Sequence, residues 1–489
     1  MAEDIKDFFQ SIQICRVEYR KKFIAAFREG LDLVSEAKDL GKYIGNHYDF
    51  PKLHFSKNGL PNLTSALGSG PIDYSCCFSR LGVPPLIEED TIESFLEFVR
   101  YVRSQDCLRD RFGLANELPA AEEPRIEIDK IQILSTVKSS IDRYIHKFDS
   151  FEYNEETARD IIDPAVSYIF DEKLRIEIYV PILFLDCCVD KHELANGVSI
   201  RRLSDDQHQA RYKAKSYNIS AHQSVINSAT HALVLENWEV QNTKRIWDFN
   251  ILDSVRAYPI DTIDQFFGAL RICSMNKTGY GQVYSVSKGW EHNCTAALPC
   301  VRGATTRSYP ALFEDYYWDL EEIPTVSTCQ IEQIATVYEQ LSTAKENSIS
   351  LAVKRLNRCL VRDDEEDAVL DATIALEALL SDDGNQEMTH KLAMRVGALA
   401  SIDASFGRSA DQAFSDIKKI YGYRSAIVHG SKDLTKKRLV KIDETTHTPA
   451  YELSIRYVRF IVMALLANQR FRDPKTIDRE LLLGVKPDA

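Results

Sequence analysis

No uninterrupted apolar stretch of the roughly 18 residues that a membrane helix needs occurs anywhere in the 489-residue sequence. Its opening, MAEDIKDFFQ, is acidic and amphipathic and does not have the basic and then apolar character of a secretory signal. These absences set the expectation of a soluble, cytoplasmic protein with no membrane partner. Cys-x-x-Cys is also missing. The eleven cysteines are odd in number and scattered, and the adjacent pairs Cys76–Cys77 and Cys187–Cys188 suit small buried thiols better than a disulfide framework. The nearest thing to a metal signature is HNCTAALPC, with His292, Cys294 and Cys300; it lacks a second close-spaced pair. Nor does any compact set of histidines and carboxylates stand out, so neither metal nor cofactor is expected. KTGYGQ (277–282) lacks the Gly-Lys-Ser/Thr of a phosphate loop, and its glycines read as a turn. There is no internal repeat and no low-complexity tract.

What is present is the composition of a globular protein, 44% hydrophobic and 27% charged, in a chain too long for one ordinary core. The expected fold class is multidomain α+β, in three parts. Residues 1–120 read as mainly helical, with a Pro/Gly-rich gap at 59–75 and a linker at 116–127. Residues 121–325 read as a mixed α+β module. LRIEIYVPILFLDCC, GVSIRRLS and HALVLENWEV are short, β-branched or aromatic strands, and IDTIDQFFGALRICSM is an amphipathic helix among them. Residues 326–489 read as an all-α bundle, led in by one long helix over about 328–360. The acidic run 363–367 suits the start of the next helix, which is apolar nearly all round.

The net charge of −13 argues against indiscriminate binding of nucleic acid over the whole surface. One segment departs from it: between Lys418 and Lys441 there are eight Lys or Arg residues against a single acid, Asp433. Within it, KKIYGYRSAIVHG reads as a helix end. Phe414, Ile417, Tyr421, Arg424 and Val428 fall at spacings of three and four, which puts Arg424 on the apolar seam. A guanidinium there requires an acidic partner or a wet cleft. The preceding apolar helix offers Glu377 and Asp371, about 120° apart on the wheel, and Glu377 is the first choice. Gly430 suits the residue just beyond a helix C-terminus, so His429 sits in the last turn, where the helix dipole favours its cationic form. That is a suitable place for a group that gives or takes a proton near neutral pH.

An arginine followed by four residues and a histidine, near the end of a bundle helix, resembles the RX4–6H motif of the HEPN superfamily. YGYRSAIVHG, with the upstream ATIALEALL and THKLAMRVGAL, is similar to the ApeA-like branch of that superfamily, over about residues 325–470. The resemblance implies a helical bundle that cleaves RNA without metal at a site shared by two copies of the chain. Arg424 and His429 would be the catalytic pair, supported by Glu377, Asp371, Ser425 and Tyr421. Many active relatives carry Asn, Asp or His where this chain has Ser425. The implied partners are RNA, including transfer RNA, a homodimer or higher oligomer, and a trigger such as a ligand or phage protein. The implied setting is bacterial antiviral defence by abortive infection, with the N-terminal part as sensor.

Lys418, Lys419, Lys432, Lys436, Lys437 and Arg438 would track the RNA backbone, with Lys391 and Arg395 adding phosphate contacts. Tyr421 or Tyr423 would offer a ring for stacking on a base. Plainer readings stand beside these: a solvated lysine face, a core Tyr421, and salt bridges from Lys391 and Arg395 to the acidic run 363–367. The alternative function is a catalytically inactive HEPN module that dimerises and binds a nucleotide or a protein.

Overall fold

The computed structural model describes residues 2–48, 50–65, 68, 70–78, 84–112, 114, 123–214, 221–242, 251–274, 276–292, 294–344, 346–382, 387–403, 406–432 and 434–485. The boundary expected near residue 120 lies outside these residues, as does Asp433. The architecture is mixed α and β, with helices predominating and the sheets largely antiparallel. No helix among the described residues is long and apolar enough to cross a membrane.

The chain begins with a long helix, α1 (Ala2–Asp39), whose Tyr19, Phe23, Phe27, Leu31 and Val34 recur at helical spacing and are fully buried. A hairpin of β1 (Pro51–Phe55) and β2 (Pro61–Ser65) follows, where the sequence shows only a Pro/Gly-rich gap. Next come α2 (Glu93–Ser104), α3 (Asp106–Phe112), α4 (Glu123–Phe148) and α5 (Glu155–Phe170); α2, α4 and α5 pack on α1. Of the expected linker, residues 116–122 are outside the described set and 123–127 already belong to α4.

The central part consists of β3 (Lys173–Leu183), β4 (Asp186–Cys187), β5 (Lys191–Ala195), β6 (Val198–Arg202), α6 (Asp205–Lys213), α7 (Gln223–Asn227) and β7 (Ala229–Gln241). It continues through α8 (Ile260–Cys273), β8 (Tyr280–Ser287), β9 (Val301–Ser308), α9 (Leu312–Asp319) and β10 (Thr325–Val326). Six of these strands form one antiparallel sheet in the order β5-β6-β7-β3-β8-β9. Strand β3 alternates faces: Leu174, Ile176, Ile178, Val180 and Ile182 enter the main core, while Tyr179 stacks on Tyr284 of β8 on the other side. The glycines of KTGYGQ do not make a turn. Gly281 lies inside β8 and Gly279 just before it, where a Cβ would collide with the Ser308 carbonyl oxygen.

The C-terminal part is chiefly helical: α10 (Thr328–Thr343), α11 (Asn347–Val361), α12 (Glu365–Leu380), α13 (Met388–Ile402), α14 (Ala410–Val428), the single turn α15 (Leu434–Lys437), α16 (Ala450–Ala467) and α17 (Pro474–Ile477). It is not wholly α: β11 (Leu439–Lys441) and β12 (His447–Pro449) pair as a hairpin within it. The long helix expected over 328–360 is two helices. Its buried stripe runs from Ile331 to Leu341 and resumes at Ile349, eight residues on. An unbroken helix would turn the second stripe by about 80° from the first. Extended backbone at Ala344 and Glu346 resets the phase, and both helices pack on α8. The α8–α11 approach is close enough that a Cβ on Gly268 would collide with Val353.

Candidate functional site

Helix α14 is defined at both ends by local chemistry. Ser409 accepts from the Gln412 backbone N–H at 3.2 Å while the Gln412 side chain accepts from the Ser409 N–H at 3.0 Å. At the other end Gly430 takes φ +60°, the Ser431 N–H reaches the Ala426 carbonyl at 2.9 Å, and the Gly430 N–H reaches that of Ile427 at 3.3 Å. His429 is thereby fixed as the C-cap, with its imidazole exposed to solvent.

The apolar seam of α14 is buried at Ile417 and Tyr421 and then surfaces. Arg424 is 36% exposed along its side chain, and Val428 is exposed. Nη2 of Arg424 lies 3.5 Å from Oε1 of Glu377 on α12, which is 26% exposed. This is an ion pair at the rim of the core, not the buried pair that the wheel suggests. The Arg424 guanidinium lies 5.9 Å from the centre of the Tyr421 ring, and its Nε is enclosed with no acceptor among the described residues. Asp371 takes no part. Six residues on α12 turn it away from Glu377, and it receives Arg355 Nη1 at 2.6 Å and Arg362 Nε at 2.9 Å. Ser425 is exposed on α14.

The two tyrosines proposed for base stacking are core residues. Tyr421 and Tyr423 are both buried, and the Tyr421 hydroxyl donates to the Thr373 carbonyl at 3.4 Å. Burial, reinforced by the Glu377 charge, raises the pKa of the Tyr421 hydroxyl far above its ordinary value.

The cations separate into two groups. Lys418, Lys432, Lys436 and Lys437 are exposed, with Lys418 Nζ 5.3 Å from the Phe414 ring centre. Lys419 is also exposed and donates to a neutral acceptor, the Lys441 carbonyl, at 3.0 Å. Arg438 is committed to a bidentate pair with Glu365 at 2.7 and 2.9 Å. Lys391 reaches Asp382 at 3.4 Å. Arg395 is buried: it donates to Asp478 at 2.9 and 2.6 Å, to Asp382 at 2.6 Å and to the Leu380 carbonyl at 2.6 Å. Neither Lys391 nor Arg395 bridges to residues 363–367, and Arg395 has no face to offer a phosphate.

Two clusters bear on metal binding. His292, Cys294 and Cys300 do not bring their ligand atoms into one coordination shell among the described residues. Instead Cys300 Sγ donates to the His292 carbonyl at 3.1 Å and the His292 ring stacks on Tyr168. All eleven cysteines are free thiols. The expectation that no compact set of histidine and carboxylate exists is corrected. His47, Asp142 and His146 place ligand atoms within 4.8 Å of one another. Ninety-five residues separate His47 from Asp142, which is why spacing hides the set. Its atoms already serve as a hydrogen-bonded staple: His47 Nε2 to Asp142 at 2.9 Å, His146 Nε2 to the Ile72 carbonyl at 2.7 Å, and the Tyr74 N–H to Asp142 at 2.9 Å.

No protein-family model, no curated protein and no solved structure matches this chain.

Proposed function

We propose that this chain is a metal-independent endoribonuclease whose C-terminal helices form an HEPN-type bundle, with the cleavage site at the C-terminal end of α14. The observation that carries this reading is the condition of its two polar groups. Among the described residues Arg424 holds an enclosed Nε without an acceptor and one long ion pair, to Glu377, while the imidazole of His429 stands exposed at the cap five residues on. A guanidinium with a spare donor beside a solvated titratable group suits a phosphodiester that reacts by itself.

RNA carries its own nucleophile. The 2′-oxygen attacks the adjacent phosphorus, its proton passes to a base, and the 5′-oxygen leaves with a proton from an acid. The products are a 2′,3′-cyclic phosphate and a 5′-hydroxyl. Arg424 neutralises charge building on the phosphorane oxygens. His429 acts as base or acid, and a second copy of the chain, related by twofold symmetry, supplies the other imidazole. Lys418, Lys419, Lys432, Lys436 and Lys437 guide the strand. Residues 1–325 then serve as a sensor that holds the nuclease idle until a trigger arrives, a design suited to bacterial antiviral defence by abortive infection with transfer or other host RNA as target.

The test is cleavage of labelled RNA by the purified chain in EDTA, with candidate activators present. Cleavage leaving 2′,3′-cyclic ends is expected, falling at least about a hundredfold in His429→Ala. RNA left intact by wild type, or cut equally well by His429→Ala, removes the ribonuclease and leaves the bundle as a binding module.

A further inference from the structure

Two cysteines distant in sequence meet among the N-terminal helices. Sγ of Cys15 on α1 lies 3.4 Å from Sγ of Cys107 on α3, 92 positions further along the chain. One sulfur is sheltered and the other is not: Cys15 is 5% exposed, whereas Cys107 stands in solvent. The Tyr101 hydroxyl of α2 donates to the Cys15 carbonyl at 3.1 Å and lies 3.6 Å from Cys15 Sγ, which fixes the inner thiol in place. A disulfide bond is about 2.05 Å long, so closure requires an approach of about 1.4 Å, within reach of side-chain rotation at the exposed partner.

Contact changes the acidity of both groups. The hydrogen bond with Cys107 lowers the pKa of Cys15 against the opposing effect of burial, and the Tyr101 hydroxyl adds to the lowering. The same bond raises Cys107, so the two sulfurs share one proton and the pair loses its first proton more readily than a lone thiol does. Either sulfur can hold the shared proton, which makes a thiolate available at the exposed position. Packing of small apolar side chains would account for two buried sulfurs, but not for one left in solvent against another that is enclosed.

We propose that Cys15 and Cys107 are a site of reversible oxidation by hydroperoxides, closing into a disulfide that ties α1 to α3. The Cys107 thiolate attacks the terminal peroxide oxygen; an S–O bond forms, the O–O bond breaks, and the departing oxygen takes a proton to leave as water or an alcohol. The sulfur, oxidised by two electrons, is now a sulfenic acid. Cys15 gives up its proton and attacks the Cys107 sulfur; the S–S bond forms, the S–O bond breaks, and the hydroxide leaves as water with that proton. Excess small-molecule thiol restores both cysteines by exchange. The cross-link adds a covalent tie to the helix on which α2, α4 and α5 pack, and it rests on no part of the ribonuclease reading.

The test exposes the full reduced chain to hydrogen peroxide near neutral pH, blocks the remaining thiols with iodoacetamide and maps unreduced peptides by mass spectrometry. A peptide joining Cys15 to Cys107 is expected, and it should vanish on treatment with dithiothreitol. Cys107 should be consumed severalfold faster than Cys329, an exposed cysteine of α10. In Cys15→Ser the oxidation should stop at a sulfenic acid on Cys107 that dimedone traps, and in Cys107→Ser the sheltered Cys15 should stay reduced. Should Cys15→Ser fail to fold, Cys107→Ser, at the exposed position, and the wild type decide. Cys15 and Cys107 left unlinked in excess peroxide overturn the proposal, whatever becomes of Cys329. So does a cross-link that forms as fast in chain unfolded by urea as in the folded protein.

Discussion

Arg395 and Arg424 stand on packed neighbours, α13 and α14, and sequence reading sends both towards phosphate. Their surroundings separate them. The Arg395 side chain is 2% exposed, and its bonds to Asp478 and Asp382 outweigh burial in raising its pKa. Removing one member of such a set leaves charges enclosed without a partner, so Arg395→Met should cost about 3 kcal/mol in urea unfolding, with RNA affinity of the folded protein unchanged. Arg424 is half-buried, and its contact with Glu377 is long and wet. Arg424→Ala should therefore cost less than about 1 kcal/mol while abolishing cleavage. A loss as large as that of Arg395→Met would mean that Arg424 serves the fold before it serves any substrate. Charge and spacing alone could not separate these two arginines, because what divides them is Asp478, which reaches α13 from 83 residues away.

Whole elements were legible where the chemistry is local. The glycine after His429 and the acidic start of α12 are each written within a few residues, and the strands β3, β6 and β7 show in their β-branched runs. What depends on distant partners was not. The break between α10 and α11 carries neither Gly nor Pro and follows from the need of both helices to face α8. The His47–Asp142–His146 staple joins the segment before the first hairpin to α4 across 95 residues. It also predicts a pH dependence. Burial disfavours the charged form of His146, but the bond and charge of Asp142 outweigh it and raise the pKa above the ordinary 6.5. Burial would likewise raise Asp142, yet the bonds from His146 and His47 hold it below 3.8. The contribution of His146 is then full below about pH 6.5 and fades as pH rises through its folded value, while that of Asp142 is full above about pH 3.8 and fades on acidification. Denaturant unfolding of wild type and His146→Gln should accordingly differ more at pH 5.5 than at pH 8. An equal gap at both would show that the staple holds by shape and hydrogen bonding without the imidazolium.

At the scale of the molecule, a chain of net charge −13 must bind a polyanion through a restricted patch, and the structure narrows which charges can contribute. Of the basic residues clustered between 418 and 441, Arg438 is neutralised by Glu365 and Arg424 is turned to Glu377. Lys418, Lys419, Lys432, Lys436 and Lys437 are exposed. Each phosphate neutralised on a single strand releases about 0.7 of a counterion, so engagement of all five lysines gives a log–log salt slope of about −3.5. Binding of single-stranded RNA to the His429→Ala chain, which the proposed mechanism leaves unable to cleave, followed by anisotropy over a range of salt, measures this slope. Lys432→Ala and Lys437→Ala should each flatten it by about 0.7, while Arg438→Ala should leave it nearly unchanged, since its charge is already balanced within the fold. A slope near zero, or one that only Arg438→Ala alters, would move the RNA path off this face of α14 and take the proposed cleavage site with it.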